Sequence, residues 1–135
     1  MVFLHQRITI YRLRKPATPG INDELQWLGT SLGLFGLRDK DRSCFRLFIT
    51  LLKAGKKNQS LTSDELADQL DLSRGTVVHH LNKLMEAGLV LHERNNYMLR
   101  VSKVSDLVDE IKQDMERTLQ DIKKVADDID KGLDL

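Results

Sequence analysis

Between residues 61 and 90 the apolar positions fall into two short helical stripes separated by a polar turn. Leu66, Ala67 and Leu70 form the first stripe; Val77, Leu81, Leu84 and Met85, at i, i+4, i+7 and i+8, form the second. The helix boundaries are equally well marked. Thr62 stands three residues before Glu65, a capping box in which each side chain satisfies an orphaned backbone N–H of the first turn. Asp71-Leu72 makes the turn, and Ser73 is a good N-cap for a second helix over residues 74–87. Gly88 supplies the left-handed conformation that ends it.

With Val77, Leu81 and Leu84 turned inward, the second helix presents Gly75, Val78, His79, Asn82 and Lys83 outward, with Ser73, Arg74 and Thr76 at its N-terminal rim. A helix entering the major groove leads with its N-terminal residues and needs small or polar side chains there, so that base edges can be reached. Asn82 suits adenine, Val78 a thymine methyl, and Arg74 guanine or a phosphate. Beyond Gly88, two short runs rich in β-formers flank Asn95-Asn96, a pair tolerant of the positive φ of a tight turn, which predicts a hairpin over residues 89–101. Arg94 and Arg100 are expected on this wing, where cations contact phosphates and fix the protein's position on a duplex.

The flanking segments carry their own patterns. Residues 2–13 alternate partially (Ile8 and Ile10 against Arg7 and Thr9) and predict a strand or tail that packs on the domain or on a partner chain, with a basic arm that tracks DNA as the alternative; two prolines and a glycine make residues 15–20 a linker. Asn22 is expected to cap a helix reaching about Leu34, with Leu25, Leu28, Leu32 and Phe35 on one face; its glycines make it dependent on tertiary or dimer contacts, and an effector pocket lined by Trp27 and Phe35 is the alternative to an interface or core element. A third helix, residues 39–54, turns Cys44, Phe45, Phe48, Leu51 and Leu52 inward and ends at Gly55. From Val104 onward, Val108, Ile111, Met115, Thr118, Ile122, Val125 and Ile129 alternate spacings of four and three, the pattern of a coiled-coil seam. Leu107, Leu119, Ala126 and Leu133 widen that stripe, and Thr118 is the expected site of a kink.

Charge sharpens the reading. The net charge of +1 hides an asymmetry: residues 1–20 carry four basic side chains and no acid, and residues 38–61 carry seven bases against two acids. Residues 104–135 reverse the balance, with ten acids and five bases. Positive charge gathered around a helix-turn-helix is the electrostatic footprint of a DNA binder, and an acidic final helix would be held away from the duplex. No apolar run approaches the roughly 18 residues that span a membrane. Basic residues interrupt the apolar start, so no secretory signal is read, and a lone cysteine fits a reducing, cytoplasmic setting.

The residues Leu72-Ser73, Thr76-Val77, His80-Leu81, Leu84 and Glu86-Ala87-Gly88-Leu89-Val90 resemble the winged helix-turn-helix of the arsenical-repressor (ArsR) type of prokaryotic and archaeal regulators, over residues 39–103. Multiple-antibiotic-resistance and sugar-regulator types share much of the pattern. The resemblance implies a homodimer on a pseudo-palindromic operator, usually a repressor, with Arg74, Thr76, Val78 and His79 as recognition-helix contacts. Val78 replaces the small polar residue, usually Ser, of that family, which favours an apolar contact there. Members known as metal sensors use a Cys-x-Cys pair or His and Asp pairs on a terminal helix. This chain has one cysteine, Cys44, and no i, i+4 pairing among His5, His79, His80 and His92.

These features together predict a mainly α fold with a small β-hairpin wing: a winged helix-turn-helix with a long C-terminal coiled-coil-like helix. The expected organisation is a basic arm and linker (1–20), a packing or dimerisation helix (21–37), the DNA-binding domain (38–103) and a dimerisation helix (104–135) whose seam is Val104, Val108, Ile111, Met115, Ile122, Val125 and Ile129. The expected partners are double-stranded DNA and a second copy of the chain, with no membrane, no metal and no cofactor. No phosphate loop and no Ser/His/Asp arrangement suggests an enzyme. The alternative is a winged-helix protein–protein interaction module within a larger complex; the basic residues around the helix-turn-helix favour DNA.

Overall fold

The computed structural model describes residues 5–17, 20–35 and 42–135. Within them the elements run α1 (Ile21–Ser31), α2 (Ser43–Lys56), β1 (Leu61–Thr62), α3 (Ser63–Leu70), α4 (Arg74–Glu86), β2 (Val90–Glu93), β3 (Asn96–Leu99) and α5 (Val104–Gly132). This is the expected mainly helical architecture with a small wing and a long last helix. The core gathers where α2 lies against α3, α4 and β3. Leu47, Leu66, Val77, Leu81 and Leu84 are fully enclosed there, with Phe48 and Leu51 beside them. Burying each such side chain contributes about 1.5–3 kcal/mol, which is why the two stripes of the helix-turn-helix fix its geometry.

The caps read from the sequence are in place. Thr62 accepts from the Glu65 N–H at 3.1 Å while the Glu65 carboxylate accepts from the Thr62 N–H at 3.2 Å. Ser73 Oγ accepts from the Thr76 N–H at 3.1 Å and opens α4. The helices also end alike. In α4, Gly88 takes φ +80°, its N–H donates to Met85 and that of Leu89 donates to Leu84, the Schellman arrangement that satisfies the last carbonyls. Gly33, at φ +68°, does the same after α1, with the Leu34 N–H donating to Gly29.

That capping accounts for two differences from expectation. Gly33 stops α1 at Ser31, short of Leu34, and its N-cap is Gly20 with no side-chain cap, so Asn22 lies inside the first turn rather than at its head. Gly55 does not stop α2; the helix continues to Lys56, and Asn58 takes the left-handed position, at φ 55°. The predicted beginning of that helix at Asp39, the boundary at 37–38, the apolar residues 1–4 and Thr18-Pro19 of the linker lie outside the described residues.

The sheet is antiparallel in the order β1-β3-β2, with Leu61 opposite Tyr97 and Val90 opposite Leu99. Glu93 pairs with Asn96, so the two turn residues are Arg94 and Asn95, at φ 51° and 66°, and not Asn95-Asn96. Asn96 instead enters the strand and donates its side-chain N–H to the Arg94 carbonyl at 3.0 Å. The third strand, β1, is two residues long and too short to show periodicity.

Among the described residues the N-terminal segment is not a strand but a tail packed on the domain. Residues 5–17 form an extended strap whose backbone is held by Arg7 N–H to the Glu86 carbonyl (2.8 Å), Tyr11 N–H to the Ser31 carbonyl (2.7 Å) and the Trp27 indole N–H to the Arg14 carbonyl (2.9 Å). Helix α5 is continuous through Thr118, whose hydroxyl donates to the Asp114 carbonyl at 2.9 Å. Its first turns pack Leu107 and Ile111 into the core; from Glu116 to the end every residue is exposed.

Candidate nucleic-acid interface

Helix α4 is fixed from behind and bare in front. Its inner residues Val77, Leu81 and Leu84 have zero exposure, while Gly75, His79, Asn82 and Lys83 are exposed and Thr76 and Val78 are half-exposed. A Cβ added at Gly75 would meet nothing within 4 Å, so the N-terminal end of the helix is open to an approaching surface. Two contacts absent from the sequence reading hold this helix-turn-helix on α2. His80 Nε2 lies 2.6 Å from Ser43 Oγ, and the Arg46 guanidinium donates to the Leu70 carbonyl at the end of α3. Neither was legible beforehand, because each joins residues distant in sequence across a helix packing.

At the N-terminal rim, Arg74 lies 3.6 Å from Asp64 of α3, with both side chains about three-quarters exposed. Such an exposed pair is worth little in water and is easily exchanged for a phosphate. Ser73 Oγ donates to Thr76 Oγ1 at 2.8 Å, so these two hydroxyls are set by the cap. On the wing, Arg94 occupies the turn itself and is exposed. Behind it His92 stacks on Tyr97, ring centroids 4.3 Å apart and planes 3° from parallel, a cross-strand pair that stiffens the hairpin.

Arg100, expected on the wing for phosphate contact, is turned inward. Its side chain is 7% exposed and pairs with Asp114 of α5 at 2.5 Å and with Glu110 at 2.7 Å. Asp114, 4% exposed, also accepts from Arg117 at 2.7 Å and from the Gln6 amide at 2.8 Å. Burial alone would raise the Asp114 carboxyl, but the hydrogen bonds from Arg100, Gln6 and Arg117 and the charge of Arg100 outweigh it and hold its pKa below the ordinary value. The hydrogen bond to Asp114 likewise raises Arg100, against the opposing effect of burial. Gln6 also donates to the Ala87 carbonyl at 3.2 Å, passing so close over Gly88 that a Cβ there would lie 2.3 Å from its amide nitrogen. One buried carboxylate thus joins the strap, the end of α4, the wing and α5.

The expected seam of α5 divides in two. Ile111 is 5% exposed and belongs to the protomer's own core, so it is not available to a partner. Val104 and Met115 are half-buried and Val108 is 39% exposed. Beyond them Ile122, Val125 and Ile129, with Leu119 and Leu133, are each more than half exposed on one side of the helix. Cys44 is buried, its Sγ donating to the Leu34 carbonyl at 3.4 Å. Among the described residues no group of three or more His, Cys, Asp or Glu side chains is arranged to hold a metal ion, and no helix is long and apolar enough to cross a membrane.

Comparison with known proteins gives one match. Residues 51–91, from the second half of α2 through α3 and α4 into β2, match the family described as bacterial regulatory protein, arsR family. No curated protein and no solved structure matches the chain.

Proposed function

We propose, from the match of residues 51–91 to the arsR-family regulators, that the protein is a homodimeric transcriptional regulator that binds specific sites in double-stranded DNA. Helix α4 enters the major groove with Ser73, Arg74, Gly75, Thr76, Val78, His79, Asn82 and Lys83, and the wing lies on the backbone through Arg94. The observation that carries this reading is the contrast on α4 between an inner face of zero exposure and an outer face of small and polar side chains. Arg100 is left out of the contact set, because its guanidinium is already engaged by two carboxylates.

The dimer supplies specificity. Two recognition helices about 34 Å apart read two half-sites, and the affinity of one weak site is thereby converted into selection of an inverted repeat. The exposed stripe from Leu119 to Leu133 supports α5 as the contact between copies, since these large apolar side chains are otherwise in water. Ile122→Asp with Ile129→Asp is expected to give monomers by light scattering. A dimer that survives both changes moves the interface elsewhere.

The test of DNA binding is retardation of a duplex carrying the chain's own upstream region. With Arg74, Lys83 and Arg94 on phosphates in both protomers, affinity should fall about a thousandfold between 50 and 200 mM salt. Arg74→Ala and His79→Ala should each weaken binding and leave the dimer intact. Retardation of no duplex, or affinity indifferent to salt, would refute the proposal and favour a protein-binding role for the same fold.

A further inference from the structure

Away from the DNA-facing rim, a cleft of about 290 Å³ opens between the strap, the turn after α1 and the last turn of α4. Its residues include Arg7 and Tyr11 from the strap, Leu32 and Phe35 from the turn, and Lys83 and Glu86 from α4. The walls are preformed. The strap is tied at either end of its cleft-lining stretch, Arg7 to Glu86 and Tyr11 to Ser31, and Gly33 is pressed against Thr9 so closely that a Cβ there would lie 2.9 Å from the Thr9 side chain.

The cleft has an apolar floor and a charged rim, and the rim charge is unbalanced. Arg7 reaches Glu86 only at 3.9 Å, with 76% of its side chain exposed, while Lys83 has no ion-pair partner among the described residues. Two cations and one carboxylate thus line the cleft beside Leu32 and Phe35. At roughly 30 Å³ for each water-sized group, the space holds about ten non-hydrogen atoms. We propose that this cleft binds a small organic monocarboxylate, its apolar body on Leu32 and its carboxylate between Arg7 and Lys83. The lining is mixed, and the charged groups at its rim are the ones that would fix the ligand's orientation.

Lys83 gives the site a role, one that rests on the DNA-binding reading above. The same ammonium is assigned to a phosphate, so the carboxylate and the duplex compete for it. Each therefore weakens the other by the same factor. The ligand acts as an inducer, releasing the protein from DNA.

Benzoate and hexanoate, with benzyl alcohol as the uncharged counterpart, are the probes for titration into the full-length free protein, followed by calorimetry and by the amide resonances of Gly33 and Ala87. The expected result is saturable binding with Kd on the order of 1 mM, as suits a ligand of about ten atoms. Arg7→Gln and Lys83→Gln, both changes of exposed side chains, should each weaken it about tenfold, and benzyl alcohol should bind at least tenfold more weakly than benzoate. No saturation by either carboxylate up to about 20 mM, or equal binding by the Lys83→Gln variant, would overturn the site. Saturating benzoate should also reduce DNA affinity, and an unchanged affinity overturns the competition. Because the titration contains no DNA, carboxylate binding in a protein that retards no duplex would count against the regulator reading and leave the site standing.

Discussion

Asp114→Asn isolates the contribution of the buried carboxylate. The change keeps the volume of the side chain and removes its charge, while Arg100, 7% exposed, stays beside Glu110 at 2.7 Å. Removing one member of a buried ion pair costs about 3–5 kcal/mol. Glu110 stays in place but is itself a third exposed, which puts the loss near the lower end, about 3 kcal/mol. With an unfolding entropy of about 2.1 cal/mol/K per residue, that lowers Tm by on the order of 10 °C. The assay is thermal and urea unfolding followed by circular dichroism, at one fixed protein concentration because association shifts apparent stability. The double replacement Arg100→Met with Asp114→Leu should recover most of the loss, since neither charge is then stranded. A pH series adds an independent check. The Asp114 pKa is lowered in the fold, so its stabilisation is complete above the unfolded value of about 3.9 and is lost as pH falls through the lower folded value. The gap between wild type and Asp114→Asn should therefore be full at neutral pH and close in acid. A single variant that melts within about 2 °C of wild type, or a double variant no more stable than the single one, would refute the reasoning.

Four further substitutions test the packing and the caps. Gly29→Ala places a Cβ 1.5 Å from the Phe35 ring, and the forced shift should cost about 1–3 kcal/mol despite better helix propensity, read as an earlier urea midpoint. Gly88→Ala combines φ +80° with a clash against Gln6, so the melt should fall and the Gln6 side-chain amide resonances should move; an unperturbed Gln6 would contradict the geometry. Thr62→Ala removes the capping box and should cost about 1 kcal/mol in the same unfolding assay, whereas Ser73→Ala should lose a similar amount and also weaken DNA binding.

The helix-turn-helix was legible because its information is local. Thr62, Glu65, Ser73 and Gly88 act on backbone groups within four residues of themselves, and Val77, Leu81 and Leu84 declare a face by spacing alone. The wing was displaced by one residue because Asn95-Asn96 suits a tight turn locally, whereas the pairing of Val90 with Leu99 at the far end of the hairpin sets the turn on Arg94-Asn95. Spacing also tells which side of α5 is apolar without saying what covers it. Ile111 and Ile122 share a stripe, yet one is buried in its own domain and the other is 58% exposed. Arg100 shows the same limit for charge: its partner lies fourteen residues away on another element, and an arginine near a turn looks like a surface residue until that helix is placed. The strap was legible only as a choice between a packed tail or strand and a basic arm, because its two backbone bonds go to the last residues of two helices and leave no periodic trace.

Helix α5 is rooted in the domain at Leu107 and Ile111 and runs on without a break to Gly132. In the proposed dimer that continuity makes it a ruler. A heptad inserted between Met115 and Leu119 would carry the seam outward by about 10 Å at 1.5 Å per residue, the length of about three base pairs. Operator spacing would then be written in the length of a rod that never touches the DNA, and changes in that length would retune which inverted repeats the protein reads while leaving every base contact unaltered.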